Sequence, residues 1–376
     1  MARLSMLQIG VTASARHASG TDRYYFELLR SLCAQGDRVR GVVLGDPNVV
    51  EHPVAGVESF APEGSRAFRR WTGLRRVVPR LVRDSQLIVS HFAAHAFPVL
   101  DQFGRRPLVT HFHNPWFHEG RAAGVTTAKL AIRWIQERSV YARAVRFVVL
   151  SEANARVLEE HYGVPRSLIR VVPGGTDLAR FTPGGLRAEA RARLGWALDR
   201  PTIAIVARLV ASKGVDRAID AMIEIRRRIA DVRLEIIGAG PEAEALRERV
   251  RGLDLSEAVH FAGFQRETVA DAYRAADVVV VPSIAFESFG LVAAEALACG
   301  TPALVTPILG LPEVVRALDP ALVLDGMQPA DIAHRVIDAL SGRIALPASG
   351  ACAAYARRFD WATVSAAIHE VYAEVA

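Results

Sequence analysis

Short apolar runs alternate with longer amphipathic stretches along nearly the whole chain. The first half predicts strands at Met6–Thr12, Arg38–Leu44, Leu87–Ser90, Leu108–Phe112, Phe147–Leu150 and Ile169–Val172. Helical periodicity lies between them, at Thr21–Ala34, Thr126–Tyr141 and Glu152–His161, with Ser151 as an N-cap. The second half predicts strands at Thr202–Val206, Arg233–Ile237, Val259–Ala262, Val278–Val281, Ala303–Val305 and Leu322–Leu324, most followed by helices. Strands that alternate with helices form parallel sheets covered on both faces. The fold class is therefore α/β, with two doubly wound, Rossmann-like domains. Gly and Pro cluster at Thr176–Pro183, which sets expected domains at 1–178 and 179–355, followed by a helical segment at 356–376.

A chain of 376 residues fits two cores better than one. No apolar run reaches the ~18–20 residues of a membrane span. The start reads as a first strand, without the h-region and cleavage site of a signal peptide. Cys33, Cys299 and Cys352 are scattered, fit no metal spacing and imply no disulfide framework, so a reduced, cytoplasmic setting is expected. The first 178 residues carry a net charge of +9 and the remainder −3. Much of the excess lies at residues 66–83, where Arg66, Arg69, Arg70, Arg75, Arg76, Arg80 and Arg83 interleave with Phe68, Trp71 and Leu74. This stretch reads either as a site for anionic lipid headgroups on the inner membrane face or as a solvated helix face. No nucleic-acid reading motif accompanies the charge, so no nucleic-acid partner is expected.

Of the 46 basic residues only Lys129 and Lys213 are lysine. A lysine kept in an arginine-rich chain marks a place where a compact charge fits and a planar fork does not. Lys213 follows Arg208 by five residues, around a loop at a strand's carboxyl end. Two cations there suit a diphosphate. The segment from Pro282 to Glu313 carries more chemistry. A strand ends at Pro282-Ser283, a loop presents Glu287, and Phe289-Gly290 opens a helix bearing Glu295. A helix N-terminus attracts anions, whereas carboxylates repel them. Glu287 and Glu295 make sense as acceptors for sugar hydroxyls, and phosphate with sugar suggests a nucleotide sugar. The plainer reading of each piece is an ordinary strand–loop–helix turn with dipole compensation. His111 and His113 at a strand end read as a metal pair or a core feature. No third ligand at suitable spacing is evident, so no metal is expected.

The Pro282–Glu313 string resembles the E-x7-E segment of the retaining GT-B glycosyltransferases of family 4. It matches at Pro282, Ser283, Glu287, Phe289, Gly290, Glu295, Ala296, Gly300, Pro302, Gly310, Pro312 and Glu313, and departs at Leu309, where the family usually has Gly. Ala207-Arg208-Leu209 through Lys213-Gly214 resembles the family's Gly-Arg-Leu-x-x-x-Lys-Gly, and Gly238-Ala239-Gly240-Pro241, Phe261–Phe264 and Val172–Asp177 also match family turns.

The resemblance implies two domains facing across a cleft, with the last helix crossing back to the N-terminal domain. It implies transfer of a sugar from a nucleotide diphosphate, with a UDP- or GDP-sugar as expected donor and no other cofactor. It assigns His113, Arg208, Lys213 and Glu287 to catalysis. Gly20, Gly238, Gly240, Phe264, Ser288, Phe289, Gly290, Leu291 and Glu295 fall on the donor side, and Ser19, Asn114 and Glu119 on the acceptor side. The acceptor is a sugar, a lipid-linked glycan or a small molecule. The rival readings are a nucleotide-sugar epimerase or hydrolase on the same fold, and a non-catalytic binding partner.

Overall fold

The computed structural model describes residues 3–14, 20–50, 53–122 and 124–376. The chain forms two compact units, Met1–Gly175 with Trp361–Ala376, and Thr176–Asp360. These boundaries fall a few residues from those read at 178 and 356. Thr176 belongs to the second unit because it bridges Asp360 and its N–H donates to the Phe359 carbonyl at 2.6 Å.

The first unit holds β1 (Ser5–Ala13), β2 (Arg38–Gly45), β3 (Val57–Ala61), β4 (Leu87–Ser90), β5 (Leu108–Phe112), β6 (Arg146–Val149) and β7 (Ile169–Val171). They form one parallel sheet in the order β3-β2-β1-β4-β5-β6-β7. The winding reverses between β1 and β4, and that switch point is where ligands bind in such sheets. β3 escapes sequence reading because it is an edge strand with only Phe60 and Ala61 buried. One core fills the face under the helices Ala67–Arg83, Thr127–Arg143 and Glu152–Tyr162, where Leu74, Val78, Val140 and Leu158 meet Phe112 and Phe147. On the Ala67–Arg83 helix Leu74, Val77, Val78, Leu81 and Val82 face inward. Phe68 (75% exposed) and Trp71 (45%) stay outside.

The helix Trp361–Ala373 belongs to this unit although the second unit intervenes in sequence. His369 Nδ1 lies 2.8 Å from Asp37 Oδ2, Tyr372 is fully buried, and Glu374 accepts from Arg146 and Arg170. No helix among the described residues is long and apolar enough to cross a membrane.

The second unit holds β8 (Thr202–Val206), β9 (Arg233–Ile237), β10 (Val259–Gly263), β11 (Val278–Val281) and β12 (Ala303–Val305), parallel, in the order β10-β9-β8-β11-β12. Its switch point lies between β8 and β11. The four consecutive valines of β11 are all buried, as expected for a central parallel strand covered on both faces. The sixth strand expected at Leu322–Leu324 does not form. Pro320–Leu322 is a 3-10 turn capped by Asp319, which leaves only a single bridge from Val323 to Val305.

Buried histidines set an acid limit on the first unit. His95 is 5% exposed, with Nδ1 2.8 Å from the Gly10 carbonyl, and burial pushes its pKa from 6.5 down to about 4. The unfolded chain therefore binds this proton first. The His95 contribution is complete above pH 6.5 and is lost as pH falls toward 4. Between those limits it amounts to about 1.4 kcal/mol per pH unit. Urea unfolding from pH 7 to 4.5 checks this: His95→Asn flattens the acid-side loss of stability by about that slope, and an unchanged slope refutes the assignment.

Candidate functional site

The loops after β8 and β11 carry the second unit's candidates, one on each side of the switch point. Lys213 closes a 3-10 turn, and Gly214 follows at φ +62°. A Cβ at Gly214 would lie 2.1 Å from the Pro282 carbonyl oxygen, so only glycine lets these loops meet. The Ile284 N–H donates to the Ser212 carbonyl at 2.9 Å and ties them together. This contact brings Lys213 Nζ to 2.5 Å from Glu287 Oε2. Ser283 Oγ donates to the same oxygen at 3.0 Å, and Thr306 Oγ1 holds the Ser283 carbonyl at 2.5 Å. The pair is mostly buried, with 26% of the Lys213 side chain and 16% of the Glu287 side chain exposed. Arg208 is exposed and makes no ion pair among the described residues.

Gly290 (φ +102°) caps the helix Leu291–Ala298, which is buried along Ala293–Ala298. A Cβ at Gly290 would lie 2.3 Å from Leu311 Cδ2. The N–H groups of residues 288–292 donate to no backbone carbonyl among the described residues. They form a run of donors at the positive end of a helix. Ser288 and Leu291 are half-buried on this rim, and Phe289 is buried against Phe359. Leu309 adopts φ +43°, the left-handed region, as does Phe286 at +43°. A non-glycine residue there costs about 1–2 kcal/mol, so strained backbone lies just before Glu287 and in the neighbouring loop after β12. The Gly310 N–H donates to the Glu287 carbonyl at 3.0 Å and ties the two loops together.

Glu295 lies inside the helix, 2% exposed, and accepts from the Tyr273 hydroxyl at 2.8 Å. Gly238 and Gly240 pack against backbone: a Cβ would lie 1.8 Å from the Ala207 carbonyl oxygen and 2.2 Å from that of Leu209, respectively. Their spacing thus serves first to seat the Arg208 loop. Phe264, 66% exposed, follows the β10 end.

The remaining candidates lie in the first unit. Gly20 begins the helix Gly20–Ala34, and Ser19 lies outside the described residues. His113 follows β5 and is 8% exposed, and burial lowers its pKa to about 4. It is therefore a neutral hydrogen-bonding group at neutral pH. Asn154 Nδ2 donates to its carbonyl at 3.2 Å. Asn114 is half-buried, with an Oδ1 that has no partner among the described residues. Glu119 sits in the first turn of the helix Trp116–Ala122.

Sequence reading missed two parts of this region. Glu137, 1% exposed, accepts from the N–H groups of Trp116 (2.9 Å) and Phe117 (3.1 Å) and from the Tyr162 hydroxyl (3.0 Å), so it anchors the turn beyond His113. His91 follows β4 as His113 follows β5, and a histidine just past an apolar strand was the available signal. It supplies the third imidazole that chain spacing did not show, because β4 and β5 are neighbours in the sheet. One nitrogen each of His91, His111 and His113 lies within 4.8 Å of the others. Yet the His91 and His111 rings stack, with centroids 4.4 Å apart at 25°. Their ring planes are thus nearly parallel. His111 Nε2 lies 2.7 Å from the Tyr372 hydroxyl and His91 Nε2 lies 2.8 Å from Gln8 Oε1. The geometry is that of a hydrogen-bonded stack of imidazoles.

Comparisons with known proteins agree with this arrangement. A family profile described as "Glycosyl transferases group 1" matches residues 187–359, and one described as "Glycosyltransferase Family 4" matches residues 18–180. A D-inositol 3-phosphate glycosyltransferase from Nocardia farcinica is 40% identical over 250 residues, 64% of this chain and 55% of that protein. The protein so named from Corynebacterium jeikeium is 36% identical over 286 residues, 69% of this chain and 67% of its own length. The chain thus spans roughly half to two thirds of the length of these relatives. Among solved structures, sucrose-phosphate synthase from Thermosynechococcus elongatus superposes with a TM-score of 0.80 at 22% identity, covering 99% of both chains. Anabaena Alr3699/HepE in complex with UDP-glucose superposes at 0.81 with 20% identity, covering 99% of this chain and 100% of the other. With both halves matched by the family's profiles and both sheets wound as in its GT-B fold, the chain belongs to glycosyltransferase family 4.

Proposed function

We propose that the protein is a retaining glycosyltransferase that moves a sugar from a nucleoside-diphosphate donor to an acceptor hydroxyl without a metal ion. The observation that carries this reading is the Lys213–Glu287 pair beside the Gly290 helix start. It puts a cation, a run of N–H donors and a hydroxyl-accepting carboxylate at one switch point. The leaving diphosphate gains negative charge as the glycosidic bond breaks. Arg208, Lys213 and the N–H groups at 288–292 meet that charge. Glu287 accepts from hydroxyls of the sugar, and Lys213 and Ser283 fix its orientation beforehand. Glu295 meets the ribose, with Tyr273 holding one carboxylate oxygen. His113 accepts from the donor sugar.

The bond from the anomeric carbon to the acceptor oxygen forms on the face from which the phosphate oxygen departs. That phosphate oxygen takes the acceptor's proton. Retention through a covalent glycosyl-enzyme needs a free carboxylate nucleophile, and Glu287 is already engaged with a cation and a hydroxyl. The named activity of the relatives makes D-inositol 3-phosphate the first acceptor to try, and the basic first unit suits an anionic acceptor.

Thermal shift with UDP-, GDP-, ADP- and TDP-sugars, each with and without EDTA, tests the donor assignment. A donor at 100 times its Kd stabilises by about 2.7 kcal/mol. Stabilisation by one nucleotide class, unchanged by EDTA, is expected, and no shift with any of them removes the donor site. Glu287→Ala is expected to abolish detectable transfer. Glu287→Gln, which keeps the shape and loses the charge, lowers kcat/KM by roughly 10–100-fold, the scale of one charged hydrogen bond. Full activity in a folded Glu287→Ala protein rules out the mechanism.

The Ala67–Arg83 helix supports contact with an anionic membrane at the cytoplasmic face. Arg75 pairs with Asp101 and Arg80 with Glu58, while Arg66, Arg69, Arg76 and Arg83 make no ion pair among the described residues and flank exposed Phe68 and Trp71. Each basic residue near an anionic surface contributes about 1 kcal/mol. Vesicle co-sedimentation is expected to show binding to phosphatidylserine-containing vesicles that weakens with salt, and several-fold weaker binding for Phe68→Ser/Trp71→Ser. Equal retention on neutral vesicles refutes it.

A further inference from the structure

The sugar-facing role proposed for His113 leaves open what decides which of its nitrogens carries the proton. Its ring is neutral, so one nitrogen is a donor and the other an acceptor. Nε2 is already committed, lying 3.3 Å from His91 Nδ1. The two rings are nearly parallel, 19° apart with centroids 5.6 Å apart. That arrangement suits an in-plane N–H···N bond. Nδ1 of His113 has no hydrogen-bond partner among the described residues.

The direction of that bond is set one step further back. His91 Nε2 lies 2.8 Å from the Gln8 side-chain oxygen, which only accepts. His91 therefore carries its proton on Nε2 and leaves Nδ1 as a lone pair. That lone pair requires a proton on His113 Nε2. Gln8 is held in turn, fully buried on β1, with its amide nitrogen 3.1 Å from Met6 Sδ and 3.5 Å from the Tyr372 hydroxyl. Tyr24 packs edge-on to His113 at 5.1 Å and fixes the ring from the side. Burial and the neighbouring imidazoles keep His91 neutral as well. A charged His91 would donate from both nitrogens and reverse the bond.

We propose that His91, oriented by Gln8, is a positioning residue that holds His113 in the Nε2–H tautomer, with the Nδ1 lone pair presented as acceptor to a hydroxyl of the donor sugar. This rests on the reading that His113 meets the donor. The chain of polarity runs from β1 through the end of β4 to the end of β5, across the strands that border the first unit's switch point. It explains why His91 is buried and polar where an apolar residue would pack as well. It also makes His113 selective: a hydroxyl donates to it readily, and an acceptor-only group such as a phosphate oxygen gains nothing from it.

Long-range 1H–15N correlation on histidine-labelled protein, with His113→Asn to assign the His113 signals, reads the tautomer without any substrate. Wild type is expected to show the Nε2–H form at both His91 and His113 at pH 7.5. An Nδ1–H form at His113, which a reversed Gln8 amide would impose, overturns the proposal. In His91→Phe, which keeps the stacking ring and removes the acceptor, the His113 signals move toward a mixture of tautomers. In His91→Asn, whose side-chain oxygen can stand in for Nδ1, they return to the Nε2–H form. Unmoved His113 signals in His91→Phe also overturn it. Turnover then tests the role: His91→Phe lowers kcat/KM by roughly tenfold, the scale of one neutral hydrogen bond. His91→Phe combined with His113→Phe is no worse than His113→Phe alone. Additive losses assign His91 a purely structural part. A protein with the expected tautomer that transfers no sugar from any donor sinks the transferase reading and leaves the tautomer assignment standing.

Discussion

A parallel sheet buried on both faces has only its strand ends left for chemistry, and the rest of this protein follows from that constraint. Each sheet here is covered by helices, and its strands are largely apolar, with Gln8, Thr110, His111 and Glu235 as buried polar exceptions. Polar function is thereby driven to the loops at the carboxyl ends. Winding that reverses direction parts those loops at one place in each sheet, between β1 and β4 in the first and between β8 and β11 in the second. The charged and imidazole candidates gather around these two places. In the second unit the gathering is enforced by backbone contact, since the Lys213 and Glu287 loops touch through a glycine that leaves no room for a side chain.

The electrostatics of the two units differ in kind. The second unit keeps full charges, Lys213 and Glu287, paired and mostly buried, with Arg208 exposed. The first unit keeps neutral rings. Burial holds His91, His111 and His113 below their ordinary pKa, so their work is directional hydrogen bonding.

Most of the architecture was legible because its determinants are local. Thr202–Val206, Arg233–Ile237 and Val278–Val281 were read to the residue, since an interior parallel strand is a short, mainly apolar run. β3 was not, because an edge strand buries only part of one face. Leu322–Leu324 looked like a strand because periodicity does not see Asp319 and Pro320 starting a turn. Lys213, Glu287 and Gly290 stood out through their spacing. His91 and Glu137 did not, because their partners are neighbours across the sheet or between helices and are remote in sequence. Leu309 marks a further limit. As a residue type it argues against a left-handed bend, yet the surrounding loop imposes one.

The first unit is discontinuous, and this orders the events of biosynthesis. Its residues up to 175 leave the ribosome first, but its last helix, Trp361–Ala373, emerges only after the whole second unit has been made. Until then Asp37 has no His369, His111 has no Tyr372, and the flank of the Gly20–Ala34 helix is bare. The half synthesised first is therefore completed last. A nascent chain would expose an apolar and imidazole-rich seam throughout translation of the second unit, the interval in which a chaperone has most reason to hold it.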